Sequence, residues 1–244
     1  MLTVSIITVA YNSEKTISKT IESVLNQTYP CYEYIVIDGA SSDGTAQIAQ
    51  SYKSEFDDRG IKYTIISEKD NGMYDALNKG ANLATGDLVG QINADDWYEK
   101  DAIEKMVAFF EKENCDVAWG SLNVLKASGN MIKRAKLGKL WTTTGWCHPA
   151  MFSKREILLE FPYALENMYD DFDYITRVYL AKKKICVTDD IIANFNFCGM
   201  STRKSFKEAM ERVNTTYSIY KRHGMSKLYY LHRLAFETVK YILG

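Results

Sequence analysis

The stretch LVGQINADDWY, residues 88–98, ends an apolar run with two adjacent carboxylates. Residues 88–92 are typical of a buried strand, whereas Asn93, Asp95 and Asp96 follow at once. Adjacent like charges repel, and a buried carboxylate without a partner is costly. We therefore expect a positive group at the end of this strand. The candidates are a helix N-terminus, a basic side chain and a metal ion.

The segments around this strand alternate between two periodicities. Apolar, β-branched runs predict strands, and apolar residues at three- and four-residue spacing predict amphipathic helices. The predicted strands are residues 3–9, 34–37, 61–67, 87–93 and a further one from 116; the predicted helices are 14–26, 43–53, 73–84 and one around 103–110. We expect Ser41, Ser42 and Asp43 to supply the N-cap of the second helix. This order predicts an α/β fold with a mostly parallel central sheet and helices on both faces.

Polar residues follow each of the first four predicted strands. They are Tyr11-Asn12, Asp38-Gly39, residues 68–70 and residues 93–96. Ligands of such sheets bind beyond the carboxyl ends of the strands, so a site is expected at this edge. No GxGxxG or GxxxxGK[ST] pattern is present, which disfavours a classical dinucleotide site or a P-loop. A divalent cation bound by carboxylates is another way to hold a diphosphate.

Composition restricts the class of protein and its partners. The 244 residues are 46% hydrophobic and 25% charged, which suits one large soluble domain with or without an appendage. Residues 201–244 carry a net charge of +6 and the first 200 residues −7. An acidic body without a recognition motif argues against nucleic acid as a partner. Five scattered cysteines, a short uncharged N-terminus and no long apolar run predict a cytoplasmic protein.

Four segments in this order resemble the family 2 glycosyltransferases of bacterial polysaccharide biosynthesis, which have the GT-A fold. The segments are VSIITVAYN (4–12), IVIDGASSDGT (35–45), ISEKDNGMYDALNKGANLATGD (66–87) and INADD (92–96). The resemblance implies a nucleotide-diphospho-sugar transferase that uses Mg²⁺ or Mn²⁺. It also implies a nucleotide-sugar donor, usually a UDP-sugar, inversion by single displacement, and a saccharide or lipid-linked acceptor.

The same resemblance divides the chain into regions. It is strong over about the first 120 residues and weaker to about Ser201. We expect a GT-A catalytic domain at 1–201, with a nucleotide-sugar-binding half at 1–120 and an acceptor-side half at 121–201. Residues 202–244 are expected to form a basic helical C-terminal extension.

The resemblance assigns roles to individual residues of the donor-binding half. Tyr11 matches an aromatic residue that stacks on the nucleobase, and Asp38 an acid that reads the base or ribose. Many members have a second acid where this chain has Gly39. Asp70 and Lys79 fall at donor-side positions, Lys79 where members often place groups near the diphosphate.

Residues 93–95 match the DxD motif of the family, in which the second acid usually ligates the metal. Asp95 is therefore the first metal candidate and Asp96 the neighbouring one. Asn93 replaces the first acid of the motif and keeps an oxygen. The alternative is a turn or N-cap made from Asn and Asp, without a metal.

A second acidic cluster, YDDFDYITR at 169–177, resembles the ED motif of the family. An inverting transfer needs a general base, and Asp171 matches it; Asp170 takes the position of the Glu. The alternative is a helix N-terminus with an ordinary ion pair between Asp173 and Arg177.

The segment between the two acidic clusters and the one after the base complete the predicted site. His148 either touches donor or acceptor or is a structural histidine. Trp141 and Trp146 either stack on a sugar ring or belong to the core. The segment FCGMS, residues 197–201, resembles a glycine-bearing element that closes the site.

The C-terminal region reads as two helices broken near Gly224. Residues 226–243 are basic, aromatic and moderately apolar, with Lys227, Arg233 and Lys240 as the basic residues. This composition is typical of a helix that lies on a membrane surface, here the inner face. The alternative is packing on the body or on a second subunit, which would make a homo-oligomer.

Two other functions are alternatives to a glycosyltransferase. A nucleotidyltransferase would need a glycine- and lysine-rich loop after the first strand, which VAYNSEKT does not supply. A glycosyltransferase-like binding or scaffold protein with weakened catalysis remains an alternative. Asn93 and Gly39 favour that alternative, whereas Asp95 and Asp171 argue against it.

Overall fold

The computed structural model describes residues 1–138, 141–197 and 205–243. Its strands are β1 (Val4–Ala10), β2 (Glu33–Asp38), β3 (Lys62–Ser67), β4 (Leu88–Asn93), β5 (Trp97–Tyr98), β6 (Val117–Leu125), β7 (Met131–Lys133), β8 (Met151–Lys154) and β9 (Ile185–Asn196). Its helices are α1 (Ile17–Leu25), α2 (Thr45–Ser51), α3 (Lys53–Asp58), α4 (Met73–Leu83), α5 (Ala102–Glu113), α6 (Arg155–Glu160), α7 (Asp170–Leu180), α8 (Phe206–Arg222) and α9 (Leu228–Leu243).

The strands belong to one mixed sheet whose first half is parallel. The order is β3-β2-β1-β4-β8-β6-β9-β5, and β7 pairs with the free side of β6. β1 lies between β2 and β4 and runs parallel to both, with Val9 opposite Ile37 and Asn93. The carboxyl ends of β1 to β4 therefore meet at one edge, as the strand-end polar residues predicted.

The second half of the sheet is not uniformly parallel. β8 runs antiparallel to both β4 and β6, while β6 and β9 are parallel. Two register shifts lie between Trp119 and Leu122, where β6 meets β9. The predicted parallel arrangement therefore describes the first four strands, and the acceptor-side half is built differently.

The observed elements follow the apolar pattern of the sequence. β1, β2 and β4 are buried on both faces because helices cover them, which explains why apolar residues occupy both faces of each strand. The N-cap prediction for the second helix is wrong, since α2 begins at Thr45 behind Gly44 and has no side-chain cap. Asp43 instead accepts hydrogen bonds from the backbone and hydroxyl groups of Thr45 within the preceding turn.

The C-terminal helices pack on the body. The Tyr220 hydroxyl donates to the backbone oxygen of Trp141 (3.0 Å), and its ring stacks on Tyr229 with centroids 4.4 Å apart. Asp173 of α7 accepts hydrogen bonds from Arg177 and from His223 at the end of α8. None of the helices in the described ranges is both long and apolar enough to span a bilayer.

Candidate functional site

The turns after β1 and β2 are bonded to each other. Asn12 has a positive φ of 48°, and its side-chain oxygen accepts from the backbone N–H of Ser42 (2.9 Å). In return, the backbone N–H of Asn12 donates to the Ser41 hydroxyl (2.8 Å). Asparagine tolerates this left-handed conformation because its short side chain can bond locally. The two turns therefore form one rigid rim, from which Tyr11 projects with 67% of its surface exposed.

Asp38 is buried at the end of β2 and organises this rim. Its carboxylate accepts from the backbone N–H of Ser41 (3.0 Å), the Ser67 hydroxyl (2.6 Å) and the Ser41 hydroxyl. Hydrogen bonds to an ionised acceptor are strong, so Asp38 fixes the ends of β2 and β3 together. The side chain predicted to read the donor is thus also a structural anchor.

Asp70 lies directly against Gly39. A β-carbon added at Gly39 would come within 2.8 Å of an Asp70 carboxylate oxygen. The Asp70 carboxylate therefore lies beside the position where many family members would carry the second acid of the β2 motif. Asp70 also accepts from the backbone N–H of Gly72 at 2.9 Å, which fixes one of its oxygens.

Lys79 is tied to the loop that follows β3. Its ammonium group lies 2.9 Å from the Glu68 carboxylate, 3.9 Å from that of Asp75, and donates to the backbone oxygen of Lys69. The hydrogen bond with Glu68 raises the pKa of Lys79. Lys79 therefore holds the loop that carries Asp70.

The two acids after β4 have different surroundings. Asp96 is fully buried, and one of its oxygens accepts from the backbone N–H of Asn196 (2.9 Å), which ties the end of β4 to β9. Its other oxygen is buried without a partner among the described residues. Burial, and then the charge of Asp95, raise the pKa of Asp96 well above its usual range.

Asp95 is half-buried in the turn after β4. Among the described residues its side chain has no hydrogen-bonding partner beyond its own backbone N–H, and burial raises its pKa. No group of three or more acidic, histidine or cysteine side chains in the described ranges forms a ready metal cage. Mg²⁺ is commonly held by one or two carboxylates plus substrate phosphates, so Asp95 with the free oxygen of Asp96 fits such an ion.

A cavity of about 450 Å³ joins the end of β4 to the start of α7. Asn93 and Asp171 both line it, although these residues lie far apart in the chain. Trp146 and His148 also line it. Of the residues predicted for the site, Asn93, Trp146, His148 and Asp171 are therefore brought together. The other predicted residues are not among those that line the cavity: Tyr11, Asp38, Asp70, Lys79, Asp95, Asp96 and Asp170.

Two aromatic side chains orient Asp171. The Tyr74 hydroxyl lies 3.1 Å from one carboxylate oxygen and 3.1 Å from the backbone oxygen of Met168. The Trp146 indole N–H donates to the other carboxylate oxygen at 2.8 Å. Burial and the charge of Asp171 raise the pKa of Tyr74 well above its usual range, which keeps the phenol protonated as a donor. Trp146 is itself buried, so it packs in the core and holds the base candidate.

Tyr74 was not among the predicted site residues. It lies in the quoted segment 66–87, but its partner Asp171 is reached only through the fold. A tyrosine in the first turn of an amphipathic helix is usually a core residue, so the sequence contains no signal for the role of Tyr74. Trp141 is partly buried and packs against the core, where its indole N–H donates to Thr176 (2.9 Å) and its ring stacks on Tyr179.

His148 and Asp170 have partners within the protein. His148 lies 3.3 Å from the Tyr163 hydroxyl, which donates to Gln91 (2.5 Å), and burial lowers the pKa of His148. Asp170 is buried and accepts from the backbone N–H of Glu166 (2.8 Å) and Asn167, which fixes the loop before α7. In the segment 197–201, residues 198–201 lie outside the described residues.

Comparisons with known proteins identify the family of the chain. A Mycobacterium bovis PGL/p-HBAD biosynthesis glycosyltransferase is 29% identical over 218 residues, which cover 86% of this chain and 83% of the relative. The Bacillus subtilis protein TuaG, named for teichuronic acid biosynthesis, is 32% identical over 131 residues, or 54% of this chain and 51% of its own length. The chain thus spans about half the length of TuaG.

Two solved structures share the fold. S. aureus TarS 1-349 in complex with UDP-GlcNAc superposes with a TM-score of 0.73 at 19% identity, covering 99% of this chain and 72% of that one. The mannosyltransferase PcManGT from Pyrobaculum calidifontis, in complex with GDP-Man and Mn²⁺, gives 0.68 at 17% identity, covering 98% and 69%. Residues 5–182 match the sequence profile of glycosyl transferase family 2. The chain therefore belongs to that family and has its GT-A fold.

Proposed function

We propose that this glycosyltransferase moves a sugar from a nucleotide-sugar to a hydroxyl of a saccharide or lipid-linked acceptor, in a metal-dependent transfer that inverts the anomeric carbon. One observation carries the proposal. Asn93, at the end of the strand that leads to Asp95, and Asp171, at the start of α7, line one cavity. A diphosphate at the first position and an acceptor hydroxyl at the second would place the anomeric carbon between them.

In this mechanism Asp171 is the general base. The acceptor hydroxyl gives its proton to Asp171 as its oxygen bonds to the anomeric carbon, and the bond from that carbon to the diphosphate breaks. The electron pair of that bond leaves with the nucleoside diphosphate. Tyr74 and Trp146 each bond one Asp171 oxygen, so the carboxylate is held in a single orientation before the acceptor arrives.

Asp95, with the free oxygen of Asp96 and the side-chain oxygen of Asn93, would hold Mg²⁺ or Mn²⁺ against the diphosphate. When bound, the cation supplies positive charge where negative charge develops on the leaving group. The partnerless buried oxygen of Asp96 supports this assignment. PcManGT is a relative in fold that was solved with Mn²⁺.

The rim formed by the ends of β1, β2 and β3 would bind the nucleoside. Tyr11 is exposed enough to stack on a base, and Asp70 lies next to Gly39 with one oxygen free to accept from a ribose hydroxyl or a base. Asp38 shapes the turn beneath them, and Lys79 holds the Asp70 loop near the diphosphate. The neighbours in fold carry UDP-GlcNAc and GDP-Man, so a uracil and a guanine nucleotide should be compared, with UDP expected to bind more tightly.

Calorimetry tests the donor half of the proposal. UDP and GDP are titrated into the parent protein with and without Mn²⁺, and then into Asp95→Ala and Asp101→Ala. Asp101 is a half-exposed acid directly before α5, paired with Lys105, and serves as the matched control. We expect metal-dependent binding in the parent and in Asp101→Ala, and its loss in Asp95→Ala. Unchanged binding in Asp95→Ala would refute the metal assignment.

A donor-hydrolysis assay on the same parent protein separates an enzyme from a binding protein. Water can replace the acceptor, so a competent site should release free sugar slowly from the correct nucleotide-sugar. Metal-dependent nucleotide binding without any release, across a panel of nucleotide-sugars, would favour the scaffold alternative.

A further inference from the structure

The Tyr74 hydroxyl has two acceptors at equal distance. It lies 3.1 Å from a carboxylate oxygen of Asp171 and 3.1 Å from the backbone oxygen of Met168. A phenol carries one hydrogen, so it donates to one of these oxygens at a time, and its own oxygen can also accept. The heavy atoms therefore allow two positions of the hydroxyl hydrogen, one toward Asp171 and one toward Met168.

The ring of Tyr74 is held in place between these acceptors. Tyr74 is 8% exposed in the first turn of α4, and its ring packs on that of Tyr163 with centroids 5.3 Å apart. Met168 belongs to the loop before α7, whose backbone N–H groups donate to the Asp170 carboxylate. Both acceptors therefore keep their places when the hydroxyl hydrogen turns from one to the other.

The second partner of the Asp171 carboxylate cannot change its role. The Trp146 indole N–H donates to the other carboxylate oxygen at 2.8 Å, and an indole nitrogen donates but does not accept. Tyr74 and Trp146 are, among the described residues, the two side chains that bond this carboxylate. When Asp171 carries a proton, Tyr74 is therefore the partner that can accept it.

The ionisable groups around the base candidate do not compete for this role. Each of them is bonded to another part of the protein: Lys133, His148, Tyr163, Tyr169, Asp170 and Asp173. The proton of Asp171 is therefore served by Tyr74 alone among the described side chains.

A partly buried base needs a partner in both of its protonation states. Hydrogen bonds to an ionised carboxylate favour that form, so two fixed donors would weaken Asp171 as a base. A neutral carboxyl group whose O–H had no acceptor would also be costly. A hydroxyl that donates in one state and accepts in the other avoids both costs.

We propose that the Tyr74 hydroxyl follows the proton of the reaction. While Asp171 is ionised, Tyr74 donates to it. When Asp171 has taken the proton of the attacking hydroxyl, the Asp171 O–H donates to the Tyr74 oxygen, and the Tyr74 hydrogen turns to the Met168 oxygen. Tyr74 neither gains nor loses a proton, so it is a positioning residue that acts through Asp171. This inference rests on the proposed function, since it takes Asp171 as the base.

Infrared spectroscopy of the full-length protein tests the inference without a substrate. The C=O stretch of protonated Asp171 is the low-pH band that Asp171→Asn removes. A carboxyl group that donates a hydrogen bond absorbs at lower wavenumber than one that does not, so Tyr74→Phe should shift this band to higher wavenumber. Tyr52→Phe, which removes a hydroxyl bonded to Glu22, is the matched control and should leave the band in place.

The pH dependence of donor hydrolysis is the second test, with the nucleotide-sugar that the parent cleaves fastest. Tyr74→Phe should lower the rate about tenfold at unchanged UDP affinity. It should move the acid limb of the pH–rate profile by less than about half a unit, because the ionised base loses one charge-assisted bond and the neutral base loses two ordinary ones. Trp146→Phe removes a donor from the ionised form alone, so its acid limb should move to higher pH by about one unit.

The outcomes separate this inference from the proposed function. An unmoved infrared band in Tyr74→Phe, or an acid limb that rises as far as in Trp146→Phe, would make Tyr74 a fixed donor and overturn the inference. Near-parent hydrolysis in Asp171→Asn would instead overturn the proposed function. Thermal unfolding shows which variants are folded. If Trp146→Phe does not fold, a rise of about one unit in Tyr74→Phe is enough to overturn the inference.

Discussion

The rim at the ends of β1 to β3 and the cavity between β4 and α7 are held together in different ways. In the rim, Ser41 bonds both Asn12 and Asp38 across turns that follow adjacent parallel strands. In the cavity, Asp171 is oriented by Tyr74 from the first half of the chain and by Trp146 from a loop. The rim is thus built from local turns on a regular sheet, whereas the cavity is assembled from distant segments.

This contrast extends to the C-terminal helices. Arg233 of α9 is 7% exposed and donates to the Thr143 hydroxyl (2.8 Å) and the Tyr169 hydroxyl (3.4 Å). Both of these residues line the cavity. Glu237 pairs with Arg233 at 2.8 Å and with Arg212 of α8 at 2.8 Å. The C-terminal helices therefore hold two residues that line the cavity, although their sequence reads as an appendage.

The largest effect is expected from a substitution in the cavity that leaves the rim unchanged. Asp171→Asn removes the proton acceptor but keeps the shape of the side chain. We expect donor hydrolysis to fall by about 10²-fold, the scale of a lost general base, while the affinity for UDP with Mn²⁺ stays the same. Steady-state kinetics and calorimetry measure the two quantities.

The control for this prediction is Asp189→Asn, the same change at an exposed acid of β9. It should leave both quantities at the parent value. Near-normal hydrolysis in Asp171→Asn would remove Asp171 from the mechanism, and a large loss of UDP affinity would show that the two halves are not separable.

The next effect tests whether α9 supports the cavity. Arg233→Met removes the bonds to Thr143 and Tyr169 and leaves Glu237 with Arg212. We expect hydrolysis to fall about thirtyfold, equivalent to about 2 kcal/mol of lost positioning, with the UDP affinity and the donor KM unchanged. Arg233→Lys should restore part of the rate, because a cation returns to Glu237.

Lys221→Met, at an exposed lysine of α8, is the matched control for charge. Thermal unfolding of each variant separates lost folding from lost positioning, and rates are compared well below the lowest midpoint. An Arg233→Met protein that is folded and fully active would show that α9 is dispensable for the site.

The difference between the rim and the cavity also explains which features the sequence predicts and which it does not. The strands that end at Asp38 and Asn93 carry periodic apolar runs with polar ends, and parallel strands bring those ends together. Local pattern was therefore enough for the rim and for the fold of the first half. Tyr74 and Arg233 lie in ordinary amphipathic helices, and their partners lie far along the chain. Asp171 is 97 residues from Tyr74, and Thr143 is 90 residues from Arg233. A local sequence pattern does not identify a partner that is so distant in the chain.

A smaller effect is expected at the rim, where Gly39 lies against Asp70. Gly39→Ala would put a β-carbon 2.8 Å from an Asp70 oxygen, so the carboxylate must move. If Asp70 contacts the donor, we expect UDP affinity to fall about tenfold, the scale of a hydrogen bond to a charged group. Asp70→Ala should have a similar effect, and the double variant should be no worse than either single one.

Calorimetry of the three variants forms a double-mutant cycle, which reports the coupling between the two positions. Additive losses would show that Gly39 and Asp70 act separately and that the alanine methyl disturbs another part of the rim. Ala40, the next residue, has a φ of 57°, and Ala40→Gly is a control that should retain UDP affinity.

The smallest effect concerns the outer face of α9, where the structure corrects the predicted distribution of charge. Arg233 is buried against Glu237, so it is not one of the basic residues available to a membrane. The exposed face instead carries Leu228 at 70%, Leu231 at 60% and Val239 at 55% exposure, next to the exposed Lys227.

We predict that the full-length protein co-sediments with anionic phosphatidylserine vesicles at low salt and is released as salt rises. Lys227→Gln should lower partitioning about fivefold, since one basic residue near such a surface contributes about 1 kcal/mol. Lys112→Gln on α5 should not lower partitioning, and neither change should alter UDP affinity.

A truncation near Ser201 is a poorer test, because it would also remove the bonds of Arg233 to Thr143 and Tyr169. Absence of vesicle binding even at low salt would assign the apolar face of α9 to a second copy of the chain, which sedimentation velocity would then detect as a dimer.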